Sequence, residues 1–169
     1  MRICIVGAGA IGSLFAAHLA TLADVEVWAY DLDKAHIDAI NKGGLRLSGK
    51  STLHSRPKAS SDPAAIPPCD FGIVATKSLH TRPALAAIFR NGAVCSVQNG
   101  VGNEEIIAEY APRVMRGTTF PAGRIIEPGH VQQDTGGKTW IGPFDPKPAS
   151  MAEVTALADK LTQSDMETL

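Results

Sequence analysis

A glycine-rich turn near the N-terminus has the spacing that binds the phosphates of a dinucleotide. It consists of Gly7, Ala8, Gly9, Ala10, Ile11 and Gly12. Gly7 permits a tight turn, Gly9 lets a pyrophosphate approach the backbone, and Gly12 lets the following helix lie close to a sheet. An apolar run precedes the turn and an Ala/Leu-rich segment follows it, so the helix N-terminus would direct N–H groups at the phosphates. This context favours dinucleotide binding over a glycine-rich turn without a ligand.

Asp31 is a candidate for the residue that recognises the adenosine ribose. It ends the apolar run of residues 25–30 and follows Gly12 by nineteen positions. An acid at this place in a dinucleotide-binding fold hydrogen-bonds the ribose hydroxyls, and its charge disfavours the 2′-phosphate of NADP. The sequence therefore favours NAD(H). The alternative is a plain turn residue, and Asp33 is equally suited to cap the next helix.

Two further segments follow predicted strands and therefore fall at the sheet edge where ligands bind. Thr76 and Lys77 come directly after an apolar run, and the lysine ammonium suits a phosphate or a substrate carboxylate. The alternative is a surface lysine with Ser78 as a helix cap. Asn99 also follows an apolar run and offers a donor and an acceptor to a carboxamide or a hydroxyl group. A plain Asn-Gly turn also explains it.

Alternating strand-like and helix-like runs must position these residues, and the alternation predicts parallel βαβ units. The predicted strands cover residues 2–6, 25–30, 71–75, 93–97 and 114–119. The predicted helices cover residues 11–22, 33–41, 78–89, 104–110 and 149–161, with a short helix near Asp62. Residues 45–61 contain short β-like pieces, and residues 131–133 are predicted to pair with 138–141 as a hairpin. The predicted fold is α/β: a Rossmann-type, mostly parallel sheet with flanking helices and a C-terminal β-hairpin extension.

Length and composition are typical of a single globular domain over residues 1–169. Hydrophobic residues make up 44% of the chain and charged residues 20%, and a net charge of −1 gives no electrostatic reason to expect nucleic acid or a membrane as partner. The sequence holds no apolar run of the roughly 18 residues that a membrane span needs, and its start is unlike a signal peptide. Three cysteines without a CxxC pair predict buried, reduced thiols and a cytoplasmic protein.

The sequence offers little to other chemistries. Its five histidines are scattered without the spacing of a metal site, so no metal is expected, and His18 is predicted to pack within the first helix. No nucleophile elbow or Walker loop is present. Glu104 and Glu105 fall in the first turn of a predicted helix, where acids stabilise the helix dipole.

Taken together, these segments resemble the ketopantoate reductase family, the 2-dehydropantoate 2-reductases of the PanE/ApbA type. The resemblance covers nearly the whole chain and rests most specifically on the Asn-Gly-x-Gly-x-x-Glu pattern from Asn99 to Glu105. The other matching segments are the glycine-rich turn and residues 75–77, 117–119, 129–131 and 140–143.

The resemblance implies an N-terminal Rossmann-type domain, an all-helical C-terminal domain and an active site in the cleft between them. Family members use NADPH to reduce 2-dehydropantoate to pantoate, a step of pantothenate biosynthesis, by hydride transfer to the 2-keto carbon. By the same resemblance the glycine-rich turn holds the pyrophosphate and Lys77 lies beside the cofactor. Asn99 would contact nicotinamide and substrate, and Ala122 and Gly123 would be backbone at the nicotinamide end. Lys77 and Asn99 are thus the candidate catalytic residues.

Two features depart from the family pattern. The family's general-acid lysine lies at the start of the helical domain, past Leu169, and we do not assign its role to Lys160. We therefore expect that the helical domain is absent from this chain and that the chain alone binds dinucleotide with negligible turnover. An apolar face should then need that domain or a second copy as partner. Asp31 stands near where NADPH-using members tend to have a basic residue, so NAD(H) is an alternative to NADP(H).

The leading hypothesis is the cofactor-binding domain of a 2-dehydropantoate 2-reductase-like oxidoreductase that acts on a small 2-keto acid. The first alternative is an NAD-dependent 2-hydroxyacid dehydrogenase of the same architecture. The second is a non-catalytic dinucleotide-binding module.

Overall fold

A computed structural model describes residues 1–76, 85 and 92–169. The predicted helix over residues 78–89 and the candidate residue Lys77 lie outside the described residues, apart from the buried, helical Leu85. None of the described helices is long and apolar enough to cross a membrane.

The described residues form eleven strands and four α-helices, numbered here in chain order. The strands are β1 (Arg2–Val6), β2 (Glu26–Tyr30), β3 (Leu45–Gly49), β4 (Leu53–Ser55), β5 (Lys58–Ser60), β6 (Phe71–Val74), β7 (Ala93–Ser96), β8 (Arg113–Thr119), β9 (Ala122–Glu127), β10 (His130–Thr135) and β11 (Thr139–Pro143). The helices are α1 (Ala10–Leu19), α2 (Lys34–Gly43), α3 (Asn103–Tyr110) and α4 (Met151–Gln163), with a 3-10 turn at Pro63–Ala65. The alternating order confirms the predicted α/β fold.

Seven strands form the main sheet in the order β11-β8-β7-β6-β1-β2-β5. All neighbours in it run parallel except β11, which is antiparallel to β8. The central strands are short apolar runs that are buried on both faces, as parallel strands flanked by helices require. The sheet is therefore mostly parallel, as the sequence predicts.

Alternate residues of the central strands belong to two separate cores, one on each face of the main sheet. Ile3 and Ile5 of β1 pack with residues of α1, α2, α4 and the second sheet. Cys4 and Val6 of the same strand pack on the other side with residues of α3 and with Leu85. This two-sided burial fixes the register of β1, because a shift by one residue would exchange the two sets.

The predicted hairpin between residues 131–133 and 138–141 is wrong. Strand β10 instead pairs antiparallel with β9 and parallel with β3, in a four-stranded second sheet of order β4-β3-β10-β9. Strand β11 pairs with β8 and extends the main sheet. The tight turn of the hairpin is at Gly129, with φ +77°, whereas the glycines at 136 and 137 carry the chain from one sheet to the other. The predicted hairpin extension therefore exists, but it is formed by β9 and β10.

The helix boundaries follow local capping. Asp33 caps α2 by accepting the N–H of His36 at 3.2 Å, so the predicted start of that helix is right. Helix α1 ends at Leu19, three residues before the predicted end. Helix α4 begins with a capping box in which Ser150 and Glu153 satisfy each other's backbone N–H groups.

The two glycines that lie within helices make a matched test of the packing at the start of α1. A Cβ at Gly12 would overlap the carbonyl oxygen of Gly7, whereas a Cβ at Gly43 would meet nothing within 4 Å. We expect Gly12→Ala to lower the free energy of unfolding by about 2 kcal/mol or more, since the helix must move off the sheet. Gly43→Ala should raise it by about 0.5–1 kcal/mol. Urea unfolding of both variants measures the two effects, and a Gly12→Ala protein as stable as the parent would contradict the close packing.

Candidate functional site

The glycine-rich turn connects β1 to α1 and leaves its outer side open. Gly7 has φ +94°, and a Cβ there would lie 2.7 Å from the backbone nitrogen of Thr76. Gly9 is the N-cap of α1, has no side chain to cap the helix, and would direct a Cβ into open space. The N-terminal N–H groups of a helix without a side-chain cap are suited to an anion. The turn thus has the shape that a pyrophosphate site needs.

Asp31 lies beside this turn, because the N–H of Gly7 donates to the carbonyl of Tyr30 at 2.9 Å. The Asp31 carboxylate is half-buried, and its Oδ1 accepts the N–H of Asp33 at 3.0 Å. Asp33, not Asp31, is the cap of α2. The contact that Asp31 makes with a ribose stays a prediction, but its position next to the glycine-rich turn is the one that this contact requires.

A cleft of about 610 Å³ opens at the carboxyl ends of the parallel strands. It brings together four residues or segments that the sequence singled out: Ile11, Thr76, Asn99 and the pair Ala122 and Gly123. The other lining residues are Ala75, Val97, Gln98, Asn103, Thr119, Phe120 and Pro121. The cleft thus has one wall from the main sheet and α1, and a second wall from the start of β9.

Gln98 is a site residue that sequence reasoning missed. Its side-chain amide donates to the carbonyl of Thr76, so it joins the segment after β7 to the segment after β6. The available signal was its place directly after a predicted strand and before Asn99. Gln98 therefore holds together the two segments that carry Thr76 and Asn99 into the lining of the cleft.

The loop after β7 has features of both interpretations of Asn99, the plain Asn-Gly turn and the ligand-binding residue. Gly100 and Gly102 have φ of +107° and +93°, and the Asn103 amide donates to the carbonyl of Asn99 at 3.3 Å. The backbone is thus a glycine-dependent turn, as the alternative holds. Asn99 nevertheless lines the cleft, where a side-chain amide can orient a polar ligand.

A buried carboxylate lies at the start of α3, next to the cleft. Glu104 occupies the first helical turn, as predicted, and its side chain is 4% exposed. Its Oε1 lies 3.8 Å from Nε of Arg116, whose guanidinium also lies over the Phe144 ring at 5.0 Å. Burial raises the pKa of the nearby Cys95 thiol to about 12, and the charge of Glu104 adds to the effect. Cys95 is therefore a structural thiol and not a nucleophile.

Several other candidates lie away from the cleft. His18 is buried, and its Nδ1 donates to the carbonyl of Ser164 at 2.8 Å, which confirms its predicted packing role. Lys160 pairs with Asp24 at 2.7 Å, at the end of the sheet where β2 begins. That is the opposite end from the cleft. No group of three or more side chains suited to a metal ion occurs among residues 1–76, 85 and 92–169.

Large apolar side chains are exposed near the mouth of the cleft. Phe120, which lines the cleft, is 62% exposed and meets Trp140 edge to face with ring centroids 5.5 Å apart. Ile125 and Ile126 of β9 are also exposed. A surface of this kind is typical of a contact site for another domain or chain.

Comparisons with known proteins agree with this geometry. The sequence model of the family described as "Ketopantoate reductase PanE/ApbA" matches residues 3–146. A 2-dehydropantoate 2-reductase of Pyrococcus horikoshii is 42% identical over 146 residues, which cover 84% of this chain and 47% of that protein. One from Halobacterium salinarum is 33% identical over 175 residues, which cover 99% of this chain and 57% of that protein.

A solved structure of D-mandelate dehydrogenase with NADH and anilino(oxo)acetate superposes with a TM-score of 0.84 at 25% identity, over 100% of this chain and 56% of that one. The chain thus spans about half the length of the proteins that it matches. The family model covers most of its residues, and the relatives are similar along nearly all of it. The chain therefore belongs to the ketopantoate reductase PanE/ApbA family.

Proposed function

We propose that this chain is the cofactor-binding domain of a 2-dehydropantoate 2-reductase-like oxidoreductase. The observation that carries the proposal is the cleft that Ile11 of the glycine-rich turn, Asn99 and the start of β9 line together. The names of the similar proteins support the reaction class. In such a reaction the bound NAD(P)H supplies a hydride to the 2-keto carbon of a small acid.

The candidate residues divide the binding work between them. The turn from Gly7 to Gly12 and the N-terminus of α1 hold the pyrophosphate. The Asn99 amide orients the nicotinamide carboxamide and the substrate, and the backbone at Ala122 and Gly123 closes the nicotinamide end. Lys77, which lies outside the described residues, directly follows Thr76 in the sequence, and its ammonium neutralises phosphate or substrate charge. The domain thereby positions the reactants, and a lysine of the family's helical domain supplies the proton to the developing alkoxide.

Asp31 favours NADH over NADPH in this proposal. Asp31 directly follows Tyr30, whose carbonyl accepts the N–H of Gly7, and a 2′-phosphate beside the Asp31 carboxylate would meet a like charge. The similar D-mandelate dehydrogenase was solved with NADH. These two observations also support the second candidate, an NAD-dependent 2-hydroxyacid dehydrogenase of the same architecture.

We further propose that the exposed side chains of Phe120 and Trp140 are a contact surface for another domain or chain. A helical domain of the family, or a second copy of this chain, fits there because the patch borders the cleft.

The three cysteines are buried free thiols, which suits the reducing cytoplasm.

The pyrophosphate site is tested by a substitution at Gly9. Gly9→Ala places a methyl group in open space, so the protein should keep its stability while its Kd for NADH rises about tenfold or more, because the methyl occupies the approach of the phosphates. Gly43→Ala, whose Cβ also meets open space, is the matched control and should bind NADH like the parent. Titration of NADH fluorescence measures both. If Gly9→Ala and Gly43→Ala bound NADH with equal affinity, the glycine-rich turn would not be part of the binding site.

Cofactor choice is tested by a substitution at Asp31. The parent chain should bind NADH more tightly than NADPH, and Asp31→Arg should reverse the order by exchanging a like charge at the 2′-phosphate for an opposite one. Calorimetric titration of both proteins with both dinucleotides measures the ratio of the Kd values. A parent chain that prefers NADPH would show that Asp31 does not read the ribose.

Turnover is tested with the chain on its own. The chain should bind dinucleotide but reduce 2-keto acids at a negligible rate, because the family's proton donor belongs to the helical domain. A panel of 2-keto acids with NADH and with NADPH, followed by loss of cofactor absorbance, measures the rate. A longer chain that includes the helical domain is the positive control and also separates the two candidate functions by substrate. Ordinary enzyme rates from the 169-residue chain would contradict the expectation.

A further inference from the structure

A buried histidine connects the glycine-rich turn to the second sheet. His36 lies in the first turn of α2 and is 1% exposed. Its Nδ1 accepts the backbone N–H of Gly129 at 3.1 Å, in the turn between β9 and β10. Its Nε2 lies 3.0 Å from Oγ of Ser13, and that hydroxyl donates to the carbonyl of Ala8 at 2.9 Å. A continuous chain of hydrogen bonds thus runs from Gly129 to the turn.

The partners fix every proton in this chain. The Gly129 N–H can only donate, so Nδ1 of His36 must carry a lone pair and Nε2 must carry the hydrogen. The Ala8 carbonyl can only accept, so the Ser13 hydroxyl donates to it and accepts from His36. The imidazole is therefore neutral, and burial lowers the pKa of His36, which favours that state.

The end of this chain lies on the peptide group that faces the proposed pyrophosphate. The Ala8 carbonyl and the Gly9 N–H belong to one planar trans peptide, so they point in opposite directions. The bond from Ser13 holds the carbonyl toward the protein interior, and the Gly9 N–H is consequently turned outward, to the open side of the turn. An N–H in that orientation is a donor for a phosphate oxygen.

The same histidine is tied to the segment that carries Asp31. The N–H of His36 is capped by Asp33, and the N–H of Asp33 is held by Asp31. The glycine-rich turn, the Asp31 segment and the β9–β10 turn are therefore linked through one residue, by its ring and its backbone N–H. An ordinary core histidine needs only satisfied nitrogens, whereas the two ring nitrogens of His36 bond to the β9–β10 turn and to Ser13, whose hydroxyl holds the glycine-rich turn.

We propose that His36, acting through Ser13, is a positioning residue that sets the Ala8–Gly9 peptide for dinucleotide binding. The proposal rests on the proposed function, since it assumes that the glycine-rich turn holds a pyrophosphate. It assigns His36 no contact with the ligand.

Two variants break the hydrogen-bond chain from His36 through Ser13 to Ala8, one at Ser13 and one at His36. Ser13→Ala removes the hydroxyl that holds Ala8. His36→Asn places an amide oxygen near the position of Nδ1, so the Gly129 bond is kept and the bond to Ser13 is lost. The matched control is Ser48→Ala, because the Ser48 hydroxyl lies 2.8 Å from Nε2 of His130 in the second sheet and does not contact the turn. NADH and ADP-ribose are the probes, and melting temperatures are recorded in parallel.

We expect each of the two variants to raise the Kd for NADH and for ADP-ribose about 3- to 10-fold, the range of one lost hydrogen bond, while Ser48→Ala leaves both unchanged. The double variant should bind no more weakly than Ser13→Ala alone, because both changes break one connection. A purely structural role would lower the melting temperature without changing the Kd of the folded protein.

Three outcomes would overturn the inference. Ser13→Ala could bind like Ser48→Ala, or the losses of the two single variants could multiply in the double variant. If Ser13→Ala fails to fold, His36→Asn replaces it as the deciding variant. An unchanged Kd of His36→Asn for NADH and ADP-ribose would then overturn the inference. A parent chain that binds neither NADH nor ADP-ribose would instead overturn the proposed function, which separates the two failures.

Discussion

The close contact of three backbone segments at the glycine-rich turn is the constraint on which the rest of the structure depends. Gly12, at the start of α1, lies against the carbonyl of Gly7, and Gly7 lies against the backbone of Thr76. Neither Gly12 nor Gly7 has room for a Cβ. These contacts set how closely the helix approaches the sheet and how near the ends of β1 and β6 lie. Both cores then form on strands whose ends are already aligned, and the open side of the turn is what remains for a ligand.

The second sheet completes the site without belonging to the parallel sheet. Strand β9 supplies the wall of the cleft opposite α1, and β10 holds β9 in place through its pairing with β3. The buried Val131 packs this small sheet into the same core as α1 and α2. The cleft is thus formed by two sheets that share one apolar layer, which keeps its walls at a fixed separation.

Five strands of the main sheet (β1, β2, β6, β7 and β8) were predictable because strand-like runs alternate with helical patterns, whereas the places of β5 and β11 in it were not. The glycine-rich turn and the place of Asn99 were predictable for the same reason, since each is defined by the strand before it. The partner of β10 was not. Two glycines at 136 and 137 gave a local hairpin signal, whereas the true partners depend on a turn at Gly129 and on a pairing with β3, which is remote in sequence. Gln98 was missed because its amide bonds to the carbonyl of Thr76, a contact that no local pattern encodes.

The pairing of β10 with β3 carries an entropic cost that pairings between neighbouring elements do not. Arg46 and His130 meet across a long stretch of chain, and closing such a loop costs entropy before the contact is made. The wall of the cleft that carries Gly123 therefore depends on a pairing that is remote in sequence, whereas β1, α1 and β2 follow one another along the chain. A ligand that touches both walls stabilises only the state in which this remote pairing is formed.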